Sequence, residues 1–224
     1  MRKSLRWPVL LILAVLVLAA LVPGFSLLHT GMSSKAHASG AASITLSSAA
    51  SQPGTTIQAS GQGFAPNDQI NLYLNQVNGT LLASAAADSG GNLPATSITV
   101  PSQPTGQYTV VAMQAQSALS ANTTLTIVPI FSLSQKKVQP GSLVGVKGAG
   151  FPFQDMIELF LDSTSGNSFT YGEDDYYGNI SWSVNLPASS VVQGQHVIIA
   201  KSDTTGNILD FPVTFLPRAF PIVA

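Results

Sequence analysis

The sequence predicts an all-β protein in which two tandem β-sandwiches follow an N-terminal apolar helix. Three observations predict this fold: one long apolar run near the N-terminus, one long unit that occurs twice, and apolar residues that alternate with polar residues inside each unit. The composition agrees, since the 224 residues are 45% hydrophobic and 8% charged and include no cysteine. Disulfides, thiolate-bound metals and thiol catalysis are therefore excluded, and packed cores must supply the stability.

The first 38 residues are typical of an export segment. Three basic residues precede an uncharged apolar run, residues 7–28, and polar residues then lead to Ala36-His37-Ala38. A charged start, an apolar middle and a small-residue site describe a secretory signal peptide, with cleavage expected after Ala38. The run also reaches the roughly 20 residues of a membrane-spanning helix, so a single-pass anchor is equally open. In both cases we expect the rest of the chain outside the cytoplasm, and a retained anchor would keep the N-terminus inside.

Beyond this segment the chain repeats itself, because residues 52–75 align with residues 139–162. A unit this long that occurs twice predicts two independent domains and not a solenoid. We place these domains at residues 42–129 and 131–217, with a short C-terminal tail at 218–224. The shared positions include Pro53/Pro140, Gly54/Gly141, Gly61/Gly148, Gly63/Gly150, Phe64/Phe151, Asp68/Asp155, Asp88/Asp175, Gly91/Gly178 and Asn92/Asn179.

Within each domain the hydrophobic period is two, which is the pattern of a half-buried strand. Ile70, Leu72 and Leu74 alternate with polar or aromatic neighbours, and the matching stretch of the second domain does the same. Seven such strands in fewer than a hundred residues predict an immunoglobulin-like sandwich. In the first domain we expect them near residues 42–48, 55–61, 69–74, 80–86, 93–100, 106–115 and 120–127.

Both domains resemble bacterial immunoglobulin-like repeats of extracellular proteins, and they are broadly similar to IPT/TIG modules. The resemblance rests on a Pro-Gly pair followed by Gly-x-Gly-Phe, which ends at Phe64 in the first domain and at Phe151 in the second. A later Asp-x-x-Gly-Asn also occurs in both. The resemblance implies an extracellular module, but such sandwiches serve adhesion, spacing and ligand binding alike.

Few residues could carry chemistry. Beyond Ala38 five basic residues stand against ten acidic ones, a net charge of −5, so the basic stripe that nucleic acid needs is missing. His196 is the only histidine in the repeats, and it occupies the tyrosine-corner position that Tyr108 holds in the first domain. We expect a structural role for His196, and we expect neither enzymatic activity nor a cofactor.

The loop of residues 170–179 holds two candidate sites. Glu173, Asp174 and Asp175 could bind calcium through carboxylate oxygens, although Asp175 matches the turn residue of the first domain and no calcium-loop motif is present. A simple turn is therefore the favoured interpretation. The second candidate is a ligand-binding set of three exposed tyrosines, whereas the alternative has these rings covering the apolar faces of the sandwich. These tyrosines are Tyr171, Tyr176 and Tyr177.

The sequence thus predicts a non-catalytic, extracytoplasmic module of a bacterial cell envelope that acts in adhesion, spacing or protein contact. The alternative is a carbohydrate-binding surface protein that uses the loop of residues 171–177. The expected partner is an envelope protein or a glycan, with membrane attachment only through an uncleaved N-terminal segment. Because Pro129 and its two successors are the only linker, we also expect little bending between the two domains.

Overall fold

A computed structural model describes residues 41–188 and 191–217, which form sixteen β-strands and no helix. Each repeat contributes one three-stranded and one five-stranded sheet. The predicted all-β class is therefore confirmed for these residues, and the sheets are consistent with immunoglobulin-like sandwiches. The predicted N-terminal helix and its cleavage site, Ala36 to Ala38, lie outside the described residues, as does the tail at 218–224.

Within the described part of the chain, no helix has the length and apolar character needed to cross a membrane.

The first repeat has two sheets, with the strand orders β1-β3-β6 and β2-β8-β7-β4-β5. Neighbouring strands are antiparallel except for β2, which runs parallel to β8. The strands are β1 (Ser43–Leu46), β2 (Ala50–Ser51), β3 (Thr56–Gln62), β4 (Gln69–Leu74), β5 (Thr80–Ala86), β6 (Leu93–Thr99), β7 (Gly106–Gln114) and β8 (Ser120–Ile127).

The second repeat has the same plan, with the orders β14-β11-β9 and β10-β16-β15-β12-β13. Only the short β10 is parallel to its neighbour, β16. The strands are β9 (Ile130–Leu133), β10 (Lys137–Val138), β11 (Leu143–Ala149), β12 (Met156–Leu161), β13 (Thr170–Glu173), β14 (Ile180–Asn185), β15 (Gly194–Ser202) and β16 (Ile208–Phe215).

The cores lie between the two sheets of each repeat. In the first repeat, Ile44 and Ile98 come from the three-stranded sheet, and they share one buried cluster with Leu72 and Leu125 from the five-stranded sheet. The second repeat has an equivalent cluster of its own. The alternation expected for β4 is confirmed, because Ile70, Leu72 and Leu74 are buried while the residues between them are half-exposed.

The first expected strand is shorter than predicted, and a short additional strand follows it. The run predicted at residues 42–48 ends at Leu46, and the chain then moves to the other sheet, where β2 pairs with β8. The second repeat makes the same move with β9 and β10. β1 and β2 are edge strands of the two sheets of the first repeat, and the chain passes from one sheet to the other between them. The other six predicted strands of the first repeat differ from the observed ones by at most one residue at each end.

The two halves of the sequence signature contact each other in both repeats. Phe64 N donates to Gly91 O at 3.0 Å, and Phe151 N donates to Gly178 O at the same distance. Both glycines have positive φ, and a Cβ on either would lie 2.2 Å from the carbonyl oxygen of the phenylalanine. Only glycine fits at this position. The Asp-x-x-Gly-Asn turn therefore packs directly against the backbone of the Gly-x-Gly-Phe segment.

Candidate functional site

The Asp-x-x-Gly-Asn turn is built identically in the two repeats. Asp88 Oδ1 accepts hydrogen bonds from the backbone of Gly90 and Asn92 at 2.8 and 2.9 Å. In the second repeat Asp175 Oδ1 accepts from Tyr177 N and Asn179 N at the same two distances. The backbone and side-chain hydrogen bonds from Asn179 lower the pKa of Asp175, which keeps it ionised. The predicted turn is present, with Asp175 as the residue that closes it.

Glu173 and Asp174 differ from Asp175 in their surroundings. Glu173 is exposed at the end of β13, whereas Asp174 Oδ1 accepts a hydrogen bond from Asp155 N at 2.7 Å and its Oδ2 is buried without a hydrogen-bond partner. Burial raises the pKa of Asp174 to about 6, and the nearby carboxylates of Asp155 and Asp175 add to the shift. Among the described residues no group of three or more histidine or acidic side chains is placed to hold a metal ion.

The three candidate tyrosines are all in solvent. Tyr171, Tyr176 and Tyr177 are 67%, 68% and 51% exposed, so they do not cover the apolar faces of the sandwich. Tyr171 lies on the edge strand β13, where it pairs with Glu158 of β12. Tyr176 and Tyr177 lie in the turn, with ring centroids 5.3 Å apart and planes at 80°.

Phe153 joins these two rings, although the sequence did not single it out. Its centroid lies 4.9 Å from that of Tyr176, with an interplanar angle of 84°, and its side chain is 48% exposed. We call Phe153, Tyr176 and Tyr177 the aromatic cluster. The sequence does contain one signal for Phe153, which is a difference between the repeats, because the first repeat has Pro66 at the matching position. The structure thus brings two of the three candidate tyrosines together and leaves Tyr171 apart.

His196 fixes a loop, as expected from its position. Tyr108 Oη donates to Pro104 O at 2.8 Å, and His196 Nε2 lies 2.8 Å from Val192 O, which is also four residues before it. His196 Nδ1 lies 2.7 Å from Asp162 Oδ2. The hydrogen bond to Asp162 raises the pKa of His196, because both ring nitrogens face acceptors and the imidazolium form supplies a proton to each.

The two repeats contact each other at the turn of the second one. Ser102 Oγ donates to Asn179 Oδ1, and Thr105 N donates to Phe151 O at 3.3 Å. At Gly150, which has a φ of 77°, a Cβ would lie 3.1 Å from Pro129 Cα and 3.2 Å from Pro53 Cδ. We call this contact the junction. The signature residues of the second repeat therefore form the surface on which the first repeat rests.

Comparisons with known proteins found one matching family model and similar solved structures. Residues 39–127 match the family model of the macroglobulin-like domain, which supports an immunoglobulin-like repeat in this part of the chain. No curated protein matches the chain.

Three solved structures illustrate the similarity. A tetra-tandem repeat from the extending region of a large adhesion protein is 18% identical, with a TM-score of 0.38 over 78% of this chain and 48% of that one. The BSP domain of a biofilm-associated protein is 16% identical, with a TM-score of 0.28 over 79% and 30%. Salmonella alpha-2-macroglobulin reacted with methylamine is 13% identical, with a TM-score of 0.29 over 80% and 15%. This chain therefore spans about half or less of the length of these proteins.

Proposed function

We propose that this chain is a non-catalytic, extracytoplasmic module of a bacterial cell envelope, of the IPT/TIG-like kind, which spaces or presents a partner at the cell surface. The N-terminal segment would export it and either anchor it in the membrane or be cleaved after Ala38. The partner would be an envelope protein. The junction is the observation that supports this role most directly, because a spacer must resist bending between its domains.

Three features of the junction limit that bending. Only Val128 and Pro129 separate the last strand of the first repeat from the first strand of the second. Two hydrogen bonds cross between the repeats. A side chain at Gly150 would be strained at its positive φ and would make tighter than ordinary contacts with Val128, Pro129 and Pro53. A short linker with specific contacts on both sides couples two domains more strongly than a flexible linker does.

The hydrogen bonds of His196 support the part of this proposal that gives the chain no catalytic activity. Its two ring nitrogens contact Asp162 and the carbonyl of Val192, so neither is free to take a proton from a nucleophile. His196 therefore serves as a counterpart of Tyr108 and not as a general base.

Small-angle X-ray scattering of the full-length protein in a neutral detergent tests the spacer. We expect one narrow distance distribution for the natural chain and a broader one for Gly150→Ala, in which the added Cβ is strained and crowds Pro129. Gly145→Ala is the matched control, because its Cβ would meet only Ser134 at an ordinary 3.5 Å. A natural chain that already scatters as two freely moving sandwiches would exclude the spacer.

Retention on purified envelope fractions tests the location and the partner. The full-length protein is mixed with peptidoglycan, envelope polysaccharides and solubilised membrane proteins in separate arms. We expect selective retention by the membrane-protein arm, and retention by no arm would contradict a role in protein contact.

A second candidate function is carbohydrate binding by residues 171–177, which run from β13 into the turn. The observation that favours it is the exposure of all three tyrosines, since exposed rings with polar tips give rigid contact area. Retention on a polysaccharide that Tyr176→Ser/Tyr177→Ser abolishes would support this function, and unchanged retention would exclude the turn as the site.

A further inference from the structure

The aromatic cluster is not needed to form the turn that carries it. The first repeat builds the same turn with the same hydrogen bonds, yet it has Pro66, Ser89 and Gly90 where the cluster has its three rings. The rings are also about half to two-thirds exposed, so they contribute little to the core. A group of exposed rings that the fold does not require marks an interaction surface.

The same end of the second repeat also carries more negative charge than the matching end of the first. Glu173, Asp174 and Asp203 stand at positions where the first repeat has alanine, namely Ala86, Ala87 and Ala115.

Backbone contacts show that these positions are structurally equivalent. Asp174 N donates to Asp155 O as Ala87 N donates to Asp68 O. Asp203 N donates to Met156 O as Ala115 N donates to Gln69 O. The shared Asp175 adds a further charge beside Tyr176. At six positions at one end of the sandwich, the second repeat thus has rings or carboxylates where the first repeat has proline, serine, glycine or alanine.

The geometry leaves ring faces free. In a perpendicular contact the edge of one ring meets the face of the other, so each contact covers at most one face. The cluster has three rings, hence six faces, and its two contacts cover at most two of them. The exposed half to two-thirds of these side chains therefore remains available to a ligand. Elsewhere in this repeat Lys136 and Lys201 lie over Phe211 and Phe160, whereas no basic side chain of the described residues lies over the cluster.

We propose that the aromatic cluster, with the carboxylates of Glu173, Asp175 and Asp203 at the same end of the sandwich, binds lysine or arginine side chains of an extended, basic segment of a partner protein. Cations are attracted to ring faces, and the added carboxylates strengthen that attraction and disfavour anionic ligands. A single cation over an exposed ring raises an affinity only about two- to fivefold, so a useful affinity needs several basic side chains in one segment. A second copy is a poor partner, because the chain beyond Ala38 has a net charge of −5. This inference goes beyond the proposed spacer, which does not depend on it.

Binding of a fluorescent hexalysine peptide to the full-length protein in a neutral detergent tests the proposal. We expect measurable binding that weakens as salt is added. Tyr176→Ser/Tyr177→Gly gives the turn the sequence of the first repeat, so it should fold, and we expect its affinity for hexalysine to fall about tenfold. Tyr171→Ser is the matched control, because it removes an equally exposed ring outside the cluster and should change nothing.

Two further variants separate the contribution of the ring faces from that of the carboxylates. Tyr176→Phe/Tyr177→Phe keeps the ring faces and should retain hexalysine binding, whereas Glu173→Ala/Asp203→Ala should weaken it and reduce its salt dependence. The proposal is overturned if hexalysine does not bind, or if the serine–glycine variant binds as well as the natural chain while Trp182 fluorescence shows an intact second repeat. Chitohexaose serves as a neutral glycan in a parallel measurement. If it binds to the cluster and hexalysine does not, the proposal of a cationic ligand is overturned.

Discussion

In the first repeat the turn from Asp88 to Asn92 carries serine and glycine and faces solvent, whereas the matching turn of the second repeat carries two tyrosines and touches its neighbour through Asn179. The cores behind these turns are equivalent in strand order and burial. The comparison shows that backbone architecture is held by the shared glycines, aspartates and apolar positions. Surface chemistry at the two turns varies independently of it.

The largest expected effect would break the shared architecture. In Gly178→Val the new Cβ would lie 2.2 Å from Phe151 O at a residue with a φ of 72°, so both sterics and backbone strain oppose the fold. We expect a loss of about 4 kcal/mol or more, which amounts to unfolding of the second repeat. Loss of the native fluorescence of Trp182, the only tryptophan in the repeats, measures it. Gly166→Ala, in open space, should leave the emission as it is.

A paired core truncation sharpens the claim that the two cores are equivalent. Leu72 and Leu159 occupy matching positions and are both fully buried. Leu72→Ala and Leu159→Ala should each cost about 2–5 kcal/mol, in similar amounts, since each loses burial and leaves a cavity. Urea unfolding followed by circular dichroism gives the two values. A difference of more than about 2 kcal/mol would mean that one core relaxes around the cavity and the other does not.

The next effect concerns Asp174, which the first repeat replaces by Ala87. Its folded-state pKa of about 6 lies above the ordinary value of 3.8, so the stability linked to the protonated form is present below about pH 3.8 and is lost as the pH rises through about 6. Asp174→Asn keeps an oxygen for Asp155 N and removes the charge. We expect a gain of about 1 kcal/mol at pH 7 after allowance for solvent screening. Thermal unfolding at pH 4 and pH 7 measures it, and equal midpoint shifts at both values would contradict it.

The smallest expected effect is a pH dependence of stability, and it distinguishes the tyrosine-corner position of the second repeat from that of the first. The pKa of His196 is raised above 6.5, so the stability from its contact with Asp162 is fully present below about pH 6.5 and disappears as the pH rises through the folded-state value. Burial alone would raise the pKa of Asp162, but the hydrogen bonds from His196 and Val197 outweigh it and lower that pKa. Stability from Asp162 is therefore lost only when the pH falls below about 3.8.

The first repeat offers the control for this last prediction, because it has Asn75 and Tyr108 at the two positions. Asp162→Asn/His196→Tyr converts the pair and should remove the pH dependence of the second repeat between pH 6 and 8. Trp182 fluorescence across a urea series at each pH measures it. A pH dependence that survives the double substitution would assign it to another group.

The candidate site was only partly predictable. The tyrosines were found because three of them crowd one loop, but Phe153 lies about twenty residues earlier and joins them only when the two loops meet at the end of the sandwich. Asp162 likewise reaches His196 across 34 residues, through the pairing of β12 with β15. Contacts of this kind depend on strand register, which a single sequence does not display.

The sequence by itself determined the repeat, the alternating strands, the turn that Asp88 and Asp175 close, and the need for glycine at its fourth position. These properties are local, since side-chain period and turn chemistry are set by neighbouring residues. Only the tertiary structure decided that a short strand after the first predicted one joins the other sheet, and that Gly172 is required because the ring of Trp182 lies against it. It also decided that Ser102 donates a hydrogen bond to Asn179 across the junction. These features require segments far apart in the chain to meet, and their geometry follows from how the sheets pack.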